Sequence, residues 1–251
     1  GGNWEAYPTA PEDQTMYDTV APSSSLSSPT YDLGGAISIS FSASDPSPSS
    51  GLEWVDFWYK KESSGIWTYT GFFSTSLNGS FSFTPGAGDG TYYFASRAKD
   101  LAQNLESYPQ DGDDRTVYDT IPPAGTIAIN NNDTLTGSLI VTLNLSASDA
   151  TSGIYRMQFS NNNSTWSPWE AYQSVRSGWD LSLYGGDALT GSKITYVRFQ
   201  DRAGHISVSY ADTITYTDLP PCEGDFDGDH DVDPADLAVF AANFGRTGCT
   251  G

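Results

Sequence analysis

The stretch Ile37-Ser-Ile-Ser-Phe-Ser-Ala43 alternates apolar side chains with serines. A counterpart follows later in the chain, Val141-Thr-Leu-Asn-Leu-Ser-Ala147, in which Thr, Asn and Ser take the polar positions. Successive side chains of a β-strand point to opposite faces, so this alternation predicts strands with one buried and one solvated face. The two matched strands indicate a fold built of repeated β units.

The sequence around these strands repeats as well. Asn3–Pro22 aligns without gaps with Asn104–Pro123, which places Tyr17-Asp18-Thr19 opposite Tyr118-Asp119-Thr120. Self-similarity of this kind marks unit boundaries, and residues 1–20 match only the last strand of a repeat. The predicted segments are 1–20 (the last strand of a preceding repeat), 21–121 and 122–220 (two full repeats), and 221–251 (a C-terminal unit).

Each full repeat combines short strands with turns rich in Gly, Pro, Ser and Asn. Units of about 100 residues with this pattern are typical of immunoglobulin-like sandwiches. We therefore predict an all-β fold: tandem immunoglobulin-like β-sandwiches with a small C-terminal calcium loop–helix unit. The turns Asp149-Ala-Thr-Ser-Gly153 and Asp201-Arg-Ala-Gly204 resemble those of bacterial immunoglobulin-like repeats of large cell-surface proteins. The resemblance covers residues 22–218 and implies the sandwich fold.

A dense group of carboxylates lies near the C-terminus. Aspartates occupy positions 1, 3, 5, 7, 9 and 12 of a loop with the spacing of an EF-hand: Asp225, Asp227, Asp229, Asp231, Asp233 and Asp236. No Lys or Arg occurs from Ala203 to Gly245. Because these carboxylates repel one another unless a cation lies among them, the loop predicts a Ca²⁺ site. The alternative is a solvated acidic turn.

A helix is predicted directly after the loop. Asp233 suits its N-cap, Pro234 its first position and Gly245 its end. A calcium loop followed by a helix resembles one dockerin repeat. That resemblance implies calcium ligation by the side chains of Asp225, Asp227, Asp229 and Asp236 and by the backbone carbonyl of Asp231. It implies that Asp233 acts through water or only as the cap.

Two departures separate this unit from dockerins. There is one repeat instead of two, and His230 stands where the loop normally has Gly. We therefore expect calcium binding but not cohesin binding.

Both cysteines of the chain, Cys222 and Cys249, bracket the C-terminal unit. A disulfide between them would stabilise this short segment by about 3.5 kcal/mol and indicates an oxidising compartment. The alternative is a pair of free buried thiols.

The composition limits the partners. Among 251 residues, Asp and Glu outnumber Lys and Arg by 31 to 11, which gives a net charge of −20. A field of this sign repels nucleic acid and anionic membranes. No apolar run is long enough to insert into a membrane. We expect an extracellular or cell-surface protein; a signal peptide is not seen, which suggests that the sequence is mature or truncated.

Further aspartates fall at strand ends. Strand order in the expected sandwich brings Asp45 near Asp100 and Asp149 near Asp201, so each pair could hold a junction cation. The alternative is that each aspartate caps its own turn through an Asx hydrogen bond.

Aromatic residues make up 14% of the chain. Strand alternation turns Val55 and Phe57 inward and therefore Trp54 and Trp58 outward. An exposed Trp pair can stack on a sugar ring or be buried in a protein interface. The alternative to sugar binding is therefore core packing or contact between subunits.

No catalytic residues are predicted. The histidines, His205 and His230, belong to no recognisable nucleophile–base arrangement. We expect a non-catalytic extracellular structural or adhesive protein, or alternatively a carbohydrate-binding or anchoring appendage of a larger secreted enzyme. Its partners would be polysaccharide, other surface proteins or further copies of itself. Residues 1–20, if not simply part of a longer array, could complete a neighbouring subunit by β-strand addition and so build a fibre.

Overall fold

A computed structural model describes residues 17–217 and 234–243 of the chain. The chain divides into two compact units. The first holds the described residues up to Pro123 together with Asp149–Ile154 and Asp201–His205, and the second holds the rest. Several predicted features lie outside the described residues: residues 1–16, the calcium-loop residues Asp225, Asp227, Asp229, Asp231 and Asp233, and the two cysteines, Cys222 and Cys249.

Eight strands form the first sandwich. They are β1 (Ser23–Ser27), β2 (Tyr31–Asp32), β3 (Ile37–Ser44), β4 (Leu52–Lys61), β5 (Thr68–Ser74), β6 (Asn78–Phe83), β7 (Gly90–Asp100) and β8 (Asp114–Tyr118). One sheet has the order β1-β3-β6 and the other the order β2-β8-β7-β4-β5.

Eight more strands form the second sandwich. They are β9 (Ala124–Ile129), β10 (Leu135–Thr136), β11 (Ile140–Ser148), β12 (Ile154–Ser160), β13 (Glu170–Ala171), β14 (Val175–Asp180), β15 (Gly191–Asp201) and β16 (Tyr210–Tyr216). The sheets have the orders β14-β11-β9 and β10-β16-β15-β12-β13.

The two sandwiches share one topology. In each, a first strand pairs antiparallel with the inner strand of a three-stranded sheet, β1 with β3 and β9 with β11. A two-residue strand then crosses to the other sheet and runs parallel to its last strand, β2 with β8 and β10 with β16. This arrangement is immunoglobulin-like, and the prediction of an all-β sandwich fold is confirmed.

The alternating strands supply the cores. In β3, Ile37 and Ile39 are fully buried and Phe41 nearly so, while the serines between them are exposed. In β11, Val141, Leu143 and Leu145 are buried in the same way. Removing such side chains from water stabilises the fold by about 1.5–3 kcal/mol each. Each sandwich therefore has an apolar core of its own, one around Phe57 and Phe94 and the other around Phe159 and Phe199.

The one helix within the described ranges, α1, spans Pro234–Asn243 and begins at the predicted residue. Asp236 lies in its first turn, where a carboxylate complements the positive end of the helix dipole, and is 2% exposed. Leu237 and Phe240 of this helix are exposed. Within the part of the chain that the structure describes, no helix is both long and apolar enough to cross a bilayer.

Candidate functional site

Three aspartates of the first unit meet where the chain enters the first sandwich. Asp18 precedes β1, Asp45 follows β3 and Asp100 ends β7. One carboxylate oxygen of each lies within 4.8 Å of the others. Asp100 is fully buried and Asp18 nearly so. We call this group the Asp45 cluster.

Backbone amides hold the carboxylates of the Asp45 cluster. Asp18 accepts hydrogen bonds from the amides of Val20 at 3.0 Å and Ser50 at 2.8 Å. The Val20 bond is the main reason that the pKa of Asp18 is lowered, so this carboxylate is ionised at neutral pH. Asn104 donates hydrogen bonds to both carboxylate oxygens of Asp100, from its backbone N–H to Oδ1 and from its side-chain Nδ2 to Oδ2, each at 2.8 Å.

Asp45 is satisfied on one side only. Its Oδ2 accepts hydrogen bonds from the Gly51 amide at 2.7 Å and the Ser49 hydroxyl at 2.8 Å. Asp45 therefore caps its own turn, which is the predicted alternative to cation binding. Its Oδ1 is buried and has no hydrogen-bond partner among the described residues. Buried carboxylate oxygens normally accept hydrogen bonds or bind a cation, so Oδ1 is the atom of this cluster that most needs a ligand.

A second group, the His205 cluster, consists of Asp119, Asp201 and His205, again with one ligand atom of each within 4.8 Å of the others. Asp119 and Asp201 are almost completely buried. Burial raises the pKa of Asp201, and the charge of Asp119 adds to that effect. The His205 ring lies between two oxygens, with Nδ1 3.2 Å from Asp201 Oδ2 and Nε2 3.1 Å from the Leu33 carbonyl oxygen.

The two clusters use equivalent positions of the repeat. The corresponding pairs are Asp18 and Asp119, Asp45 and Asp149, Asp100 and Asp201, and Asn104 and His205. The predicted pair Asp45 and Asp100 is brought together. Asp201 instead groups with Asp119 and His205, and Asp149 is not a member of that group. Asp149 Oδ1 caps its own loop, where it accepts from the amides of Ser152 at 2.9 Å and Gly153 at 2.7 Å.

Asp18 and Asp119 were missed by the sequence reasoning. Each follows a tyrosine in the aligned segments Tyr17-Asp18-Thr19 and Tyr118-Asp119-Thr120. A repeated aspartate beside a predicted pair of strand-end aspartates is the sequence signal that points to both residues.

The clusters differ in the chemistry that they offer. The Asp45 cluster has only oxygen donors, which suit a hard cation such as Ca²⁺ or Mg²⁺. The imidazole of the His205 cluster adds a nitrogen donor, which suits transition metals as well.

The aromatic pair predicted on β4 lines a groove of the first unit. Val55 and Phe57 are fully buried in the core, while Trp54 and Trp58 lie on the opposite face of the strand and are half-buried. The groove has a volume of about 390 Å³ and is lined by Trp54, Asp56, Trp58, Tyr69 and Phe73.

Arg97, on the neighbouring strand β7, organises this groove. Its guanidinium pairs with Asp56 at 2.9 Å and lies 4.4 Å from the ring centre of Tyr108. It also lies 5.6 Å from the ring of Trp58 and 5.8 Å from that of Trp54, so the cation is stacked among aromatic faces. Burial raises the pKa of Tyr108, and the charge of Arg97 opposes that effect.

No described protein family and no curated protein matches this chain. Solved structures that resemble it include fibronectin(III)-like modules of Clostridium thermocellum CbhA, at 15% identity over 78% of this chain and 94% of that one, with a TM-score of 0.42. A 1.5-MDa bacterial ice-binding adhesin is similar at 16% identity over 78% of this chain and 63% of that one, with a TM-score of 0.40. The FN1-FN3 domains of chicken CNTN1 are similar at 8% identity over 78% and 64%, with a TM-score of 0.43.

Proposed function

We propose that this chain is a non-catalytic extracellular protein with a structural or adhesive role, and that bound calcium stabilises it. The observation that carries the proposal is the Asp45 cluster, in which three carboxylates converge and the buried Asp45 Oδ1 lacks a partner among the described residues. Like charges held together by a fold destabilise it unless a counter-ion is present. A calcium ion would remove that repulsion and supply the missing contact.

The bound ion would act on the fold through the segments it joins. Asp18 belongs to the segment before β1, Asp45 to the β3–β4 connection and Asp100 to the end of β7. These residues are far apart in sequence, so one ion would cross-link three parts of the same unit. A protein that carries load or holds a fixed length benefits from such cross-links, because they oppose local opening at the ends of strands.

Calcium content tests the Asp45 cluster directly. Asp45→Asn keeps a side-chain oxygen for the Gly51 amide but removes the negative charge, and Asp111→Asn removes an equal charge at an exposed position. We expect the wild-type protein and Asp111→Asn to retain one more calcium ion per chain after gel filtration than Asp45→Asn. Equal calcium content in all three proteins, measured by elemental analysis, would contradict the assignment.

A second calcium ion is proposed at the C-terminus, held by Asp225, Asp227, Asp229, Asp231 and Asp236, with Asp233 acting through water or as the helix cap. The start of α1 at Pro234 and the burial of Asp236 in its first turn support the proposal. Asp225→Asn should therefore lower the calcium content by one ion independently of Asp45→Asn. Additive losses in the double variant are expected, since the two sites share no residue.

Self-association is proposed through the N-terminal segment. Its alignment with Asn104–Pro123, which includes β8, supports a strand that adds to a neighbouring copy. A chain lacking residues 1–16 keeps Asp18 and should elute as a smaller species in size-exclusion chromatography at high concentration. If the full-length chain is associated and the truncated chain elutes at the same position, the N-terminal segment does not mediate the association.

A further inference from the structure

We propose that the groove of the first unit binds a neutral saccharide, with a pyranose ring stacked on Trp54 and Trp58. The inference goes beyond the structural role and does not depend on the carboxylate clusters. It rests on three features of the groove: its aromatic lining, its charge balance and its hydrogen-bonding groups without partners.

The aromatic lining favours a ligand with a flat, C–H-rich face. Trp54 and Trp58 are half-buried, while Tyr69 and Phe73 on the adjacent strand β5 are 42% and 60% exposed. Trp58 packs against Tyr69 with ring centres 5.4 Å apart, which fixes the orientation of both rings. A pyranose with equatorial hydroxyls presents C–H groups on its faces, and such a face is complementary to the negative face of an aromatic ring. The volume of about 390 Å³ lies within the usual range of small-molecule sites.

The charges beside the groove are balanced. Arg97 pairs with Asp56 at 2.9 Å, and Lys99 pairs with Glu53 at 3.0 Å. Both cations also lie over the ring of Trp54, at 5.8 and 5.9 Å. Because each cation is compensated by a carboxylate, the described residues beside the groove offer no free charge to an anionic or cationic ligand. A neutral ligand is therefore favoured.

The groups without partners call for a ligand that both donates and accepts hydrogen bonds. Among the described residues, Asp56 Oδ1, Trp58 Nε1 and Arg97 Nε are buried without hydrogen-bond partners. One is an acceptor and two are donors, and an unpaired buried group destabilises by about 1–3 kcal/mol. Asp56 and Trp58 line the groove, so sugar hydroxyls there can pair with one acceptor and one donor, whereas an apolar side chain of a protein partner would pair with neither.

Binding to soluble oligosaccharides tests the inference. Isothermal titration calorimetry would use cellohexaose and maltohexaose as neutral probes and polygalacturonate as an anionic one. We expect at least one neutral probe to bind, and polygalacturonate not to bind. Trp54→Ala and Tyr69→Ala should each weaken the binding at least about tenfold, since stacking residues at the centre of a site carry much of its affinity.

Two further variants make the result specific. Trp58→Phe keeps an aromatic ring but removes the indole N–H, so a loss of several-fold in affinity would assign a hydrogen bond to that group. Trp166→Ala is the matched control, because Trp166 stacks on Arg198 in the second unit in the way that Trp58 stacks on Arg97. It should leave binding unchanged.

The outcomes separate the explanations. Tyr69 and Phe73 lie on exposed positions of an edge strand, so Tyr69→Ala and Phe73→Ala report on binding even if a Trp variant fails to fold. Absence of binding to both neutral probes, or binding that none of the groove variants weakens, would overturn the inference. Preferential binding of polygalacturonate would also overturn it, because it would contradict the charge balance.

Discussion

At the scale of single residues, the two repeats keep the turn-capping aspartates but differ in the residue beside them. Asp45 Oδ2 and Asp149 Oδ1 each accept a hydrogen bond from a backbone amide of their own turn, while Asp45 Oδ1 is also buried without a hydrogen-bond partner among the described residues. Asn104 of the first repeat is replaced by His205 in the second. A few side-chain changes on one backbone plan are therefore enough to alter the donor set of a site.

Asp113 should make stability depend on pH. It accepts hydrogen bonds from the amide and hydroxyl of Ser96 at 2.7 and 2.6 Å, but burial outweighs them and raises its pKa above the ordinary 3.8. A carboxyl whose pKa is higher in the folded state stabilises the fold below its unfolded pKa, and this contribution is lost as pH rises through the folded value. We expect Asp113→Asn to flatten this part of the stability profile.

The measurement is urea unfolding in chelator from pH 3.5 upward. Asp187→Asn is a control of opposite sign, because a hydrogen bond from Lys193 lowers the pKa of Asp187 and its contribution is lost as pH falls. If Asp113→Asn leaves the difference between acidic and neutral stability unchanged, burial of Asp113 does not act in this way.

At the scale of strands, the close packing of β9 against β11 depends on Gly125. A Cβ at this position would lie 2.6 Å from the Ser146 carbonyl oxygen and 2.4 Å from a ring carbon of Phe199. Gly125→Ala should therefore destabilise the second sandwich by about 1–3 kcal/mol, as overpacking generally does. Gly86→Ala is the control, since a Cβ there would meet nothing within 4 Å.

Chemical denaturation of the two glycine variants distinguishes a strained contact from a general effect of added side chains. Equal unfolding midpoints for Gly125→Ala and the wild type would mean that β9 and β11 separate freely enough to admit the methyl group.

Alternation along the strands allowed the fold to be predicted from sequence. Ile37, Ile39 and Phe41 are buried as their spacing predicts, and α1 begins at Pro234, where the cap signals placed it. The two-residue strands β2 and β10 could not be predicted, because a segment that short has no periodicity and is defined only by its parallel partner. The repeated segment marks Asp18 as a candidate residue, but its contact with Asp45 depends on how the segment before β1 folds back on the β3–β4 connection, which no local pattern specifies.

At the scale of the whole molecule, acidic charge is the dominant property. The net charge of −20 opposes a compact state, and groups such as the Asp45 cluster concentrate that charge where the side chains are buried. A bound divalent cation would relieve both effects at once, and we propose calcium as a ligand that stabilises the native state. We therefore propose that the stability of this protein depends on calcium.

Thermal unfolding of the chelator-treated protein, with and without added calcium, tests that claim most directly. Calcium at about one hundred times its Kd stabilises a native state by about 2.7 kcal/mol per site. We predict a clear rise in the Tm of the wild type and of Asp111→Asn, and a smaller rise for Asp45→Asn. The same Tm with calcium and with chelator, or an equal rise in all three proteins, would contradict it.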